Sequence, residues 1–327
     1  MHFLDDIYLS DKQGNCNRGQ ELSNPAVFFN ILHALENVLL VSHSAAELGV
    51  GPMVPQKHFA RHYLREETLP STFCPGCGAG EVTSAFLKAV GDLGHEDLSK
   101  FAFVSGIGCS AWIPSPHFKA DTLHTTHGRA IAFATGLKLS QPELRVVVIS
   151  GDGDLAAIGG NHLIHAARRN MDMTVICVNN YIYGMTGGQV GPTTFTGDRT
   201  TTSPYGNPER PFDLARLVAA AGANYVARWT TAHPIQAARS IRTALEREGF
   251  SFVEMISQCP TAYGRRTRSG TPPEMLKWFK KFPVRKKGDP LDQRIPTKEG
   301  MDLGVFIDRH ETPFTELLRE TYSKIEG

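Results

Sequence analysis

The chain has few cysteines and no long uninterrupted apolar run. The chain has six cysteines in 327 residues, and in a reducing compartment such cysteines are more often metal ligands, catalytic groups or core residues than disulfides. The first ten residues include Asp5 and Asp6, so they lack the basic start of a secretory signal. The most apolar stretch, residues 25–50, is interrupted by side chains such as His33 and Glu36, which excludes an ordinary membrane span. We therefore expect a cytoplasmic protein without a membrane segment.

Charge of one sign is not in excess either. The 34 lysines and arginines nearly balance the 33 aspartates and glutamates, which leaves a net charge of +1. Nucleic-acid-binding proteins usually carry a basic excess, so we expect no nucleic-acid partner. Hydrophobic residues make up 41% of the chain, which is ordinary for a globular protein long enough to fold without disulfides.

Three segments are indicated along the chain. Residues 1–70 form a polar and then amphipathic extension with helical character. Residues 71–264 alternate apolar, β-branched runs with helical patterns, which predicts an α/β fold with a doubly wound parallel sheet. The predicted strands are residues 101–105, 145–150, 173–178, 225–229 and 251–256, and the predicted helices are residues 81–94, 128–141, 159–170, 211–221 and 234–249. Residues 265–327 form a C-terminal tail that we expect to pack on a partner protein.

The tail is rich in proline, lysine and arginine. Its basic residues include Lys280, Lys281, Arg285, Lys286 and Lys287. They belong either to a solvated linker or to a docking surface for an acidic partner, and the sequence leaves both interpretations open.

A glycine-rich turn with two carboxylates follows the predicted strand 145–150. In Gly151-Asp152-Gly153-Asp154, the glycines let the backbone turn sharply and approach a phosphate closely. The next predicted strand ends in Asn179-Asn180, so Asp152 and Asn180 would meet at the carboxyl edge of the sheet. Each motif alone is typical of an ordinary turn. Together they predict a site for Mg²⁺ and a diphosphate, because Mg²⁺ prefers oxygen ligands.

Four of the six cysteines lie where they could share a metal centre. They are Cys74, Cys77, Cys109 and Cys259. The first two form a Cys-Pro-Gly-Cys loop, and the other two each follow a predicted strand at the edge that carries the glycine-rich turn. Four thiolates there favour a [4Fe–4S] cluster over zinc, although Cys-x-x-Cys alone also occurs in zinc knuckles and redox dithiols. Cys177 in an apolar strand and Cys16 in a polar segment are not candidates.

The order of these motifs resembles that of a known family. Gly-Asp-Gly followed by Asn-Asn is similar to the thiamine diphosphate motif. The full set is similar to the β subunits of 2-oxoacid:ferredoxin oxidoreductases over residues 73–260. The matching elements are Cys74-Pro-Gly-Cys77-Gly, Gly108-Cys109-Ser110, His124-Thr-Thr-His127-Gly128-Arg129, Gly151-Asp-Gly-Asp154, Asn179-Asn180, Tyr183-Gly-Met-Thr186, Gly188-Gln189 and Gln258-Cys259-Pro260.

The resemblance implies a CoA-dependent oxidative decarboxylation of a 2-oxoacid, run in either direction. Thiamine diphosphate would act as nucleophile and electron sink, and one [4Fe–4S] cluster on the four cysteines above would pass electrons to ferredoxin. The family motif assigns Mg²⁺ to Asp152, Asn180 and the main chain of Ile182. The other implied cofactor-binding residues are Gly108, Cys109, Ser110, His127, Gly151, Gly153, Asp154, Gly184, Met185 and Thr186.

The resemblance also implies a partner subunit. In this family an α subunit supplies the glutamate that activates the aminopyrimidine of the cofactor, and no candidate for that glutamate is evident in this sequence. We therefore expect an αβ heterodimer or an (αβ)₂ assembly, and a chain that is inactive alone.

Three residues are candidate catalytic groups: His127, Arg129 and Thr186. His127 precedes a predicted helix and Arg129 lies at its start, where free backbone N–H groups attract anions, so we expect contacts with diphosphate or the substrate carboxylate. The alternative for His127, and still more for His124, is a hydrogen-bonded core histidine. Asp154 either caps a helix or orients a neighbouring side chain.

The loop from Tyr183 to Gln189 bears on the choice of substrate. Gly187 stands where pyruvate-type and broad-specificity family members carry lysine, and the loop resembles that of 2-oxoglutarate enzymes. Glycine leaves room for a longer dicarboxylate, whose distal cation is not identifiable here and is expected elsewhere, for example on the partner subunit. A pyruvate or broad 2-oxoacid enzyme is the alternative.

Two further interpretations compete. A thiamine-dependent non-oxidative decarboxylase or carboligase would explain Asp152 and Asn180 but leave four suitably placed cysteines idle. A zinc-stabilised scaffold subunit without catalysis would use cysteines and leave the Mg²⁺-type pair unexplained.

Overall fold

The computed structural model describes residues 58–285 and 295–326, in which one sheet forms the centre. The strands are β1 (Phe101–Ser105), β2 (Asp121–His124), β3 (Arg145–Gly151), β4 (Met173–Asn179), β5 (Ile182–Tyr183), β6 (Gln189–Val190), β7 (Tyr225–Thr230), β8 (Phe250–Ile256) and β9 (Gly304–Asp308). Seven of them pair in the order β2-β1-β3-β4-β8-β7-β9, and β5 and β6 form a small separate hairpin. All neighbours in the large sheet are parallel except β7 and β9, which are antiparallel.

Helices cover both faces of this sheet. They are α1 (Ala79–Asp92), α2 (Ala130–Ser140), α3 (Gly160–Arg168), α4 (Leu214–Ala221), α5 (Pro234–Glu246), α6 (Arg265–Thr267), α7 (Pro272–Phe279) and α8 (Phe314–Glu326). Shorter 3₁₀ segments span Phe59–Tyr63, Glu66–Thr68 and Cys109–Trp112, and π-helical segments span Gly153–Ile158 and Pro260–Gly264.

The alternation of side chains along the strands divides the apolar core into two layers. In β3, Val147 and Ile149 belong to one layer with residues of α1 and α5. Val146 and Val148 belong to the other layer with residues of α2, α3 and α4. Successive side chains of a strand point to opposite faces, so a strand buried on both faces must be apolar throughout. This requirement explains the uninterrupted hydrophobic runs in the sequence.

The chain changes direction across the sheet between β1 and β3. From β1 it continues to β2 on one side, then crosses to β3 on the other. The loops that leave the carboxyl ends of β1 and β3 therefore diverge and leave a crevice, which is where α/β sheets bind ligands. The first loop carries Cys109 and the second carries Asp152.

The predicted fold class is confirmed. Each of the five predicted strands has its counterpart, whereas β2 and β9 of the large sheet and the hairpin strands β5 and β6 were not predicted. The segment after residue 264 is part of the domain, because β9 extends the sheet and Met275 and Phe279 of α7 lie in the core. The proposed boundaries of the three segments stay a prediction, and residues 1–57, with Cys16, lie outside the described residues.

None of the helices described is both long and apolar enough to cross a membrane.

Candidate functional site

Asp152 is a buried carboxylate at the carboxyl end of β3. Its side chain is 3% exposed, and its Oδ2 accepts a hydrogen bond of 2.5 Å from the Thr193 hydroxyl. Burial raises the pKa of Asp152 to about 6, although hydrogen bonds from Thr193 and from the backbone N–H of Asn180 oppose the rise. These contacts are with neutral groups, and a buried carboxylate is stable in its charged form only beside a cation. The position therefore fits a ligand for Mg²⁺.

The turn after β4 presents Asn180 and Ile182 beside Asp152. It depends on Tyr181, a non-glycine residue with φ of 66°, a left-handed conformation that L-residues rarely adopt. Two hydrogen bonds hold it: the Tyr181 N–H donates to Asn179 Oδ1 at 3.1 Å, and the Thr194 hydroxyl donates to the Tyr181 carbonyl at 2.5 Å. The Asn180 side chain accepts from the Ile182 N–H at 3.2 Å, so the turn is closed on itself.

A buried polar network lies behind this turn. The Asn179 amide donates to Glu254 Oε1 at 2.8 Å, and Arg228 Nε donates to Glu254 Oε2 at 2.7 Å. Arg228 is fully buried and is also paired with Asp213. Burial would lower the pKa of Arg228, but the two carboxylates outweigh it and raise the pKa.

This network fixes the orientation of Asn179, because its amide nitrogen must face the carboxylate and its oxygen the turn. The Thr193 hydroxyl lies 2.9 Å from that oxygen and 2.5 Å from Asp152. Removing one partner of a buried ion pair typically costs about 3–5 kcal/mol, so the network is a firm support for the turn. Thr193, Glu254 and Arg228 were not predicted, because no local sequence pattern marks them.

Gly153 lets an aromatic ring close over the glycine-rich turn. A Cβ at Gly153 would lie 2.2 Å from the Tyr183 ring, a distance that no side chain tolerates. The Tyr183 hydroxyl donates to the Gly153 carbonyl at 3.3 Å. Gly151 has more room than Gly153, because a Cβ at Gly151 would lie 3.4 Å from Ser110 Oγ.

Asp154 orients its neighbours. Its Oδ1 accepts from the Gly128 N–H at 2.7 Å and the Ile107 N–H at 3.1 Å, and its Oδ2 accepts from the Ser150 hydroxyl at 2.7 Å. His127 Nδ1 lies 2.7 Å from Oδ1. Of the two roles left open by the sequence, the contacts favour orientation, because this carboxylate holds the loops after β1 and β2 together and fixes the ring of His127.

The other candidate catalytic residues are placed differently. Arg129 Nη1 contacts the carbonyls of Gly128 and Ile158, each at 3.3 Å. The Thr186 hydroxyl donates to Gln189 Oε1 at 2.6 Å, within an exposed loop. His124 is exposed at the end of edge strand β2. His127 is bonded to Asp154, whereas the hydrogen bonds of Arg129 and Thr186 go to other partners.

The four predicted cysteine ligands come together at the same edge of the sheet. Each of Cys77, Cys109 and Cys259 is close enough to Cys74 to interact with it electrostatically. Burial raises the pKa of Cys77 to about 12, and burial likewise raises the pKa of Cys109 and Cys259. A bound metal would stabilise these half-buried sulfurs as thiolates.

Backbone N–H groups point at three of these sulfurs. Cys77 receives one from Ala79, Cys109 one from Met185, and Cys259 two, from Ala262 and Tyr263. Such donors stabilise metal-bound thiolate and tune iron–sulfur centres. In the described residues no three His, Cys, Asp or Glu side chains are close enough to hold one metal ion. The thiols are therefore neighbours without forming a single-ion site.

The Cys74–Cys77 loop is joined to the segment that carries Cys259. The Gly78 N–H donates to the Gln258 carbonyl at 3.0 Å, and the Cys77 N–H closes the loop on the Cys74 carbonyl at 3.0 Å. Cys177 is fully buried and is part of strand β4, not of these loops.

One loop contacts both groups of residues. Within Tyr183–Gln189, Tyr183 covers Gly153 and Met185 donates its N–H to Cys109. A Cβ at Gly184 would lie 3.4 Å from Cys259 Sγ. The carboxylate site and the thiols are therefore parts of one continuous site.

Comparison with known proteins identifies the family. The model of the thiamine pyrophosphate enzyme C-terminal TPP-binding domain matches residues 106–255. The KorB subunit of 2-oxoglutarate synthase from Methanothermobacter thermautotrophicus is 59% identical over 265 residues, which cover 81% of this chain and 91% of that protein. A β subunit of a Sulfolobus 2-oxoacid:ferredoxin oxidoreductase is 37% identical, over 75% of this chain and 84% of its own. The chain belongs to the β-subunit family of 2-oxoacid:ferredoxin oxidoreductases.

A solved structure supports the same assignment. The 2-oxoglutarate:ferredoxin oxidoreductase from Magnetococcus marinus, with 2-oxoglutarate, coenzyme A and succinyl-CoA bound, superposes with a TM-score of 0.69 and 32% identity, over 83% of this chain and 92% of that chain. The predicted family and the predicted thiamine-diphosphate-binding domain are thus confirmed.

Proposed function

We propose that this chain is the β subunit of a 2-oxoglutarate:ferredoxin oxidoreductase that uses thiamine diphosphate, Mg²⁺ and one [4Fe–4S] cluster. The observation that carries the proposal is the loop Tyr183–Gln189, which contacts both the glycine-rich turn and the cysteines. A decarboxylase without electron transfer would not need four thiols beside its cofactor. The KorB name of the relatives and the ligands of the Magnetococcus enzyme support 2-oxoglutarate and coenzyme A as substrates.

Asp152, Asn180 and the main chain of Ile182 are the proposed Mg²⁺ ligands. When bound, thiamine diphosphate supplies the carbon nucleophile and the electron sink for decarboxylation. Asp152 then gains the cation that its buried charge lacks, and the turn held by Tyr181 keeps the other two ligands in place. His127 is fixed through Nδ1 by Asp154, so its Nε2 is the atom that can donate to or accept from a substrate carboxylate or diphosphate.

Cys74, Cys77, Cys109 and Cys259 are the proposed ligands of the cluster. Cys74 is the most exposed of the four, so its side is the proposed exit for electrons to ferredoxin. Thiolate ligands and the backbone donors around them suit iron–sulfur chemistry, and the contact with Met185 keeps electron donor and acceptor adjacent.

An α subunit is proposed to complete the active site. A cleft beside the glycine-rich turn is lined by Tyr183, Gly191, Ile164 and Phe212, and the last two are 38% and 49% exposed. Exposed apolar side chains around a cleft are typical of protein interfaces. The partner would bring the activating glutamate to this cleft.

The purified single chain is accordingly expected to bind its cluster yet reduce no dye with any 2-oxoacid. Activity should appear when the α subunit is added. Dye reduction by anaerobically purified protein with and without that subunit is the measurement. Robust turnover by the single chain would contradict the division of labour, while visible absorbance and iron content report on the cluster independently.

The assembled enzyme is expected to prefer 2-oxoglutarate over pyruvate in kcat/KM, measured with coenzyme A and an electron acceptor. A Cβ at Gly187 would meet only Gln189, at 3.7 Å, so the loop has open space there, although the φ of 118° at this residue favours glycine. Gly187→Lys should shift the ratio toward pyruvate by roughly tenfold or more, because the new side chain fills the space needed by a longer acid. Equal efficiency of the wild-type enzyme with both acids would contradict the assigned substrate.

A further inference from the structure

One cationic side chain, that of Arg266, contacts the loop Tyr183–Gln189. Arg266 Nη2 donates to the Gly187 carbonyl at 2.8 Å, and the Arg266 side chain runs beside Gly188. A Cβ at Gly188 would lie 2.3 Å from Arg266 Nε and 2.8 Å from its Cδ. Glycine at 188 is therefore what allows the guanidinium to reach the loop, and φ of 94° at this residue also favours glycine.

The segment that carries Arg266 is firmly anchored. It directly follows Cys259 through the π-helical segment Pro260–Gly264. Tyr263 in that segment is fully buried and donates its hydroxyl to Asp198 at 2.5 Å. The Thr267 hydroxyl donates to the Tyr263 carbonyl at 2.7 Å. The backbone of Arg266 is thus held at a fixed place between the cysteines and the loop.

The guanidinium keeps donors for a ligand. Arginine has five N–H donors in a planar fork, and the bond to Gly187 uses one of them. Arg266 is exposed, so the remaining donors are accessible. Its neighbours Arg265 and Arg268 are also exposed but make no contact with the loop among the hydrogen bonds of the described residues.

We propose that Arg266 binds the distal carboxylate of a dicarboxylate 2-oxoacid and thereby sets substrate specificity. The inference rests on the proposed function and names the cation that a dicarboxylate requires. A carboxylate removed from water without a partner is costly, whereas a guanidinium can pair with both of its oxygens. Both glycines of the loop contribute to this site: Gly187 leaves space for the substrate, and Gly188 leaves space for the Arg266 side chain.

The test compares substrates in the assembled αβ enzyme. For Arg266→Met, kcat/KM for 2-oxoglutarate should fall by about 100-fold, whereas kcat/KM for 2-oxobutyrate, which lacks the distal carboxylate, should change by less than about threefold. Arg266→Lys should recover part of the loss. Arg265→Met is the matched control, because it removes an adjacent exposed charge and should leave both values unchanged.

A neutral substrate analogue separates charge recognition from loop support. The 5-methyl ester of 2-oxoglutarate should be a poor substrate of the wild-type enzyme, and in Arg266→Met the acid should lose its advantage over the ester. Equal losses with 2-oxoglutarate and 2-oxobutyrate, no loss with either, or a rise confined to the KM for coenzyme A would each overturn the proposal. The cofactor and iron contents show whether a variant has failed to assemble. If Arg266→Met does fail, the comparison of acid and ester in the wild-type enzyme tests the proposal by itself, because equal use of the two would overturn it.

The same kinetic measurements distinguish a failure of the proposed function from a failure of the role proposed for Arg266. A wild-type enzyme that does not use 2-oxoglutarate refutes the function. A wild-type enzyme that uses it, and an Arg266→Met enzyme that uses it equally well, refute only the role of Arg266.

Discussion

Asp152→Ala is expected to weaken binding of thiamine diphosphate and Mg²⁺ by roughly two to three orders of magnitude, so that the protein purifies without cofactor. The reason is that Asp152 supplies the negative charge of this site: in the part of the chain that the structure describes, its contacts are with neutral groups, the Thr193 hydroxyl and the Asn180 N–H. Without it, the cation and diphosphate lose their charge partner. Titration calorimetry and the cofactor content of the purified protein are the measurements.

The fold should survive this substitution. A carboxylate whose pKa is raised by burial to about 6 is held in an unfavourable environment until a cation binds, so its removal should not lower the melting temperature of the cofactor-free protein. The wild type should gain about 2.7 kcal/mol at cofactor concentrations 100-fold above its Kd, and at the same concentrations Asp152→Ala should gain no more than about 0.4 kcal/mol. Asp92→Ala, which removes an exposed carboxylate paired with Lys88, is the control and should behave as the wild type. Wild-type cofactor content in Asp152→Ala would refute the assignment.

A smaller change tests the support of Asp152. Thr193→Val removes the hydroxyl that lies between Asp152 and Asn179 but keeps the carboxylate. Cofactor affinity should fall by about tenfold, which corresponds to the loss of one hydrogen bond to a charged group. An unchanged Kd would show that the turn is held sufficiently by Tyr181 and Thr194.

The central sheet could be predicted from the sequence because its parallel strands are buried on both faces. Such strands must be apolar along their whole length, and β4 is buried at all seven positions. The two unpredicted strands of this sheet lack this signal. β2 is an exposed edge strand, and β9 pairs with β7 only at the other edge, far along the chain.

The candidate site was predictable where chemistry demands particular residues in short motifs. Asp152, Asn180 and the cysteines stand directly after strands, so the parallel sheet brings them to one edge. The supporting residues have no such signal. Thr193 lies in a loop, and Arg228 and Glu254 interrupt apolar strands with charges whose pairing is visible only in three dimensions.

The same limit applies to Arg266. In the sequence it is one of several basic residues after Cys259, with nothing to separate it from Arg265 or Arg268. Only the packing of the Pro260–Gly264 segment against the loop Tyr183–Gln189 gives it a contact with Gly187. The absence of a lysine at 187 was readable from the sequence, whereas the presence of a replacement charge was not.

Cys259→Ser is expected to abolish assembly of the iron–sulfur cluster or leave it unstable, because a hydroxyl is a poor ligand for iron in a thiolate-bound cluster. Cys259 contacts several parts of the site. Its sulfur accepts hydrogen bonds from the N–H groups of Ala262 and Tyr263 and lies against Gly184 of the loop Tyr183–Gln189. Iron content and visible absorbance of the anaerobically purified protein are the measurements.

Cys177→Ala is the matched control for this last substitution. Cys177 is also buried and also lies near the carboxyl edge of the sheet, but it is part of β4 and belongs to the apolar layer opposite the one that Cys77 and Cys259 pack against. It should therefore keep full iron content at a modest loss of stability. Full iron content in Cys259→Ser, or loss of iron in Cys177→Ala, would mean that the cluster is held by a different set of thiols. Electron transfer from the thiamine site would then need another path than the loop that joins Gly153 to Cys109 and Cys259.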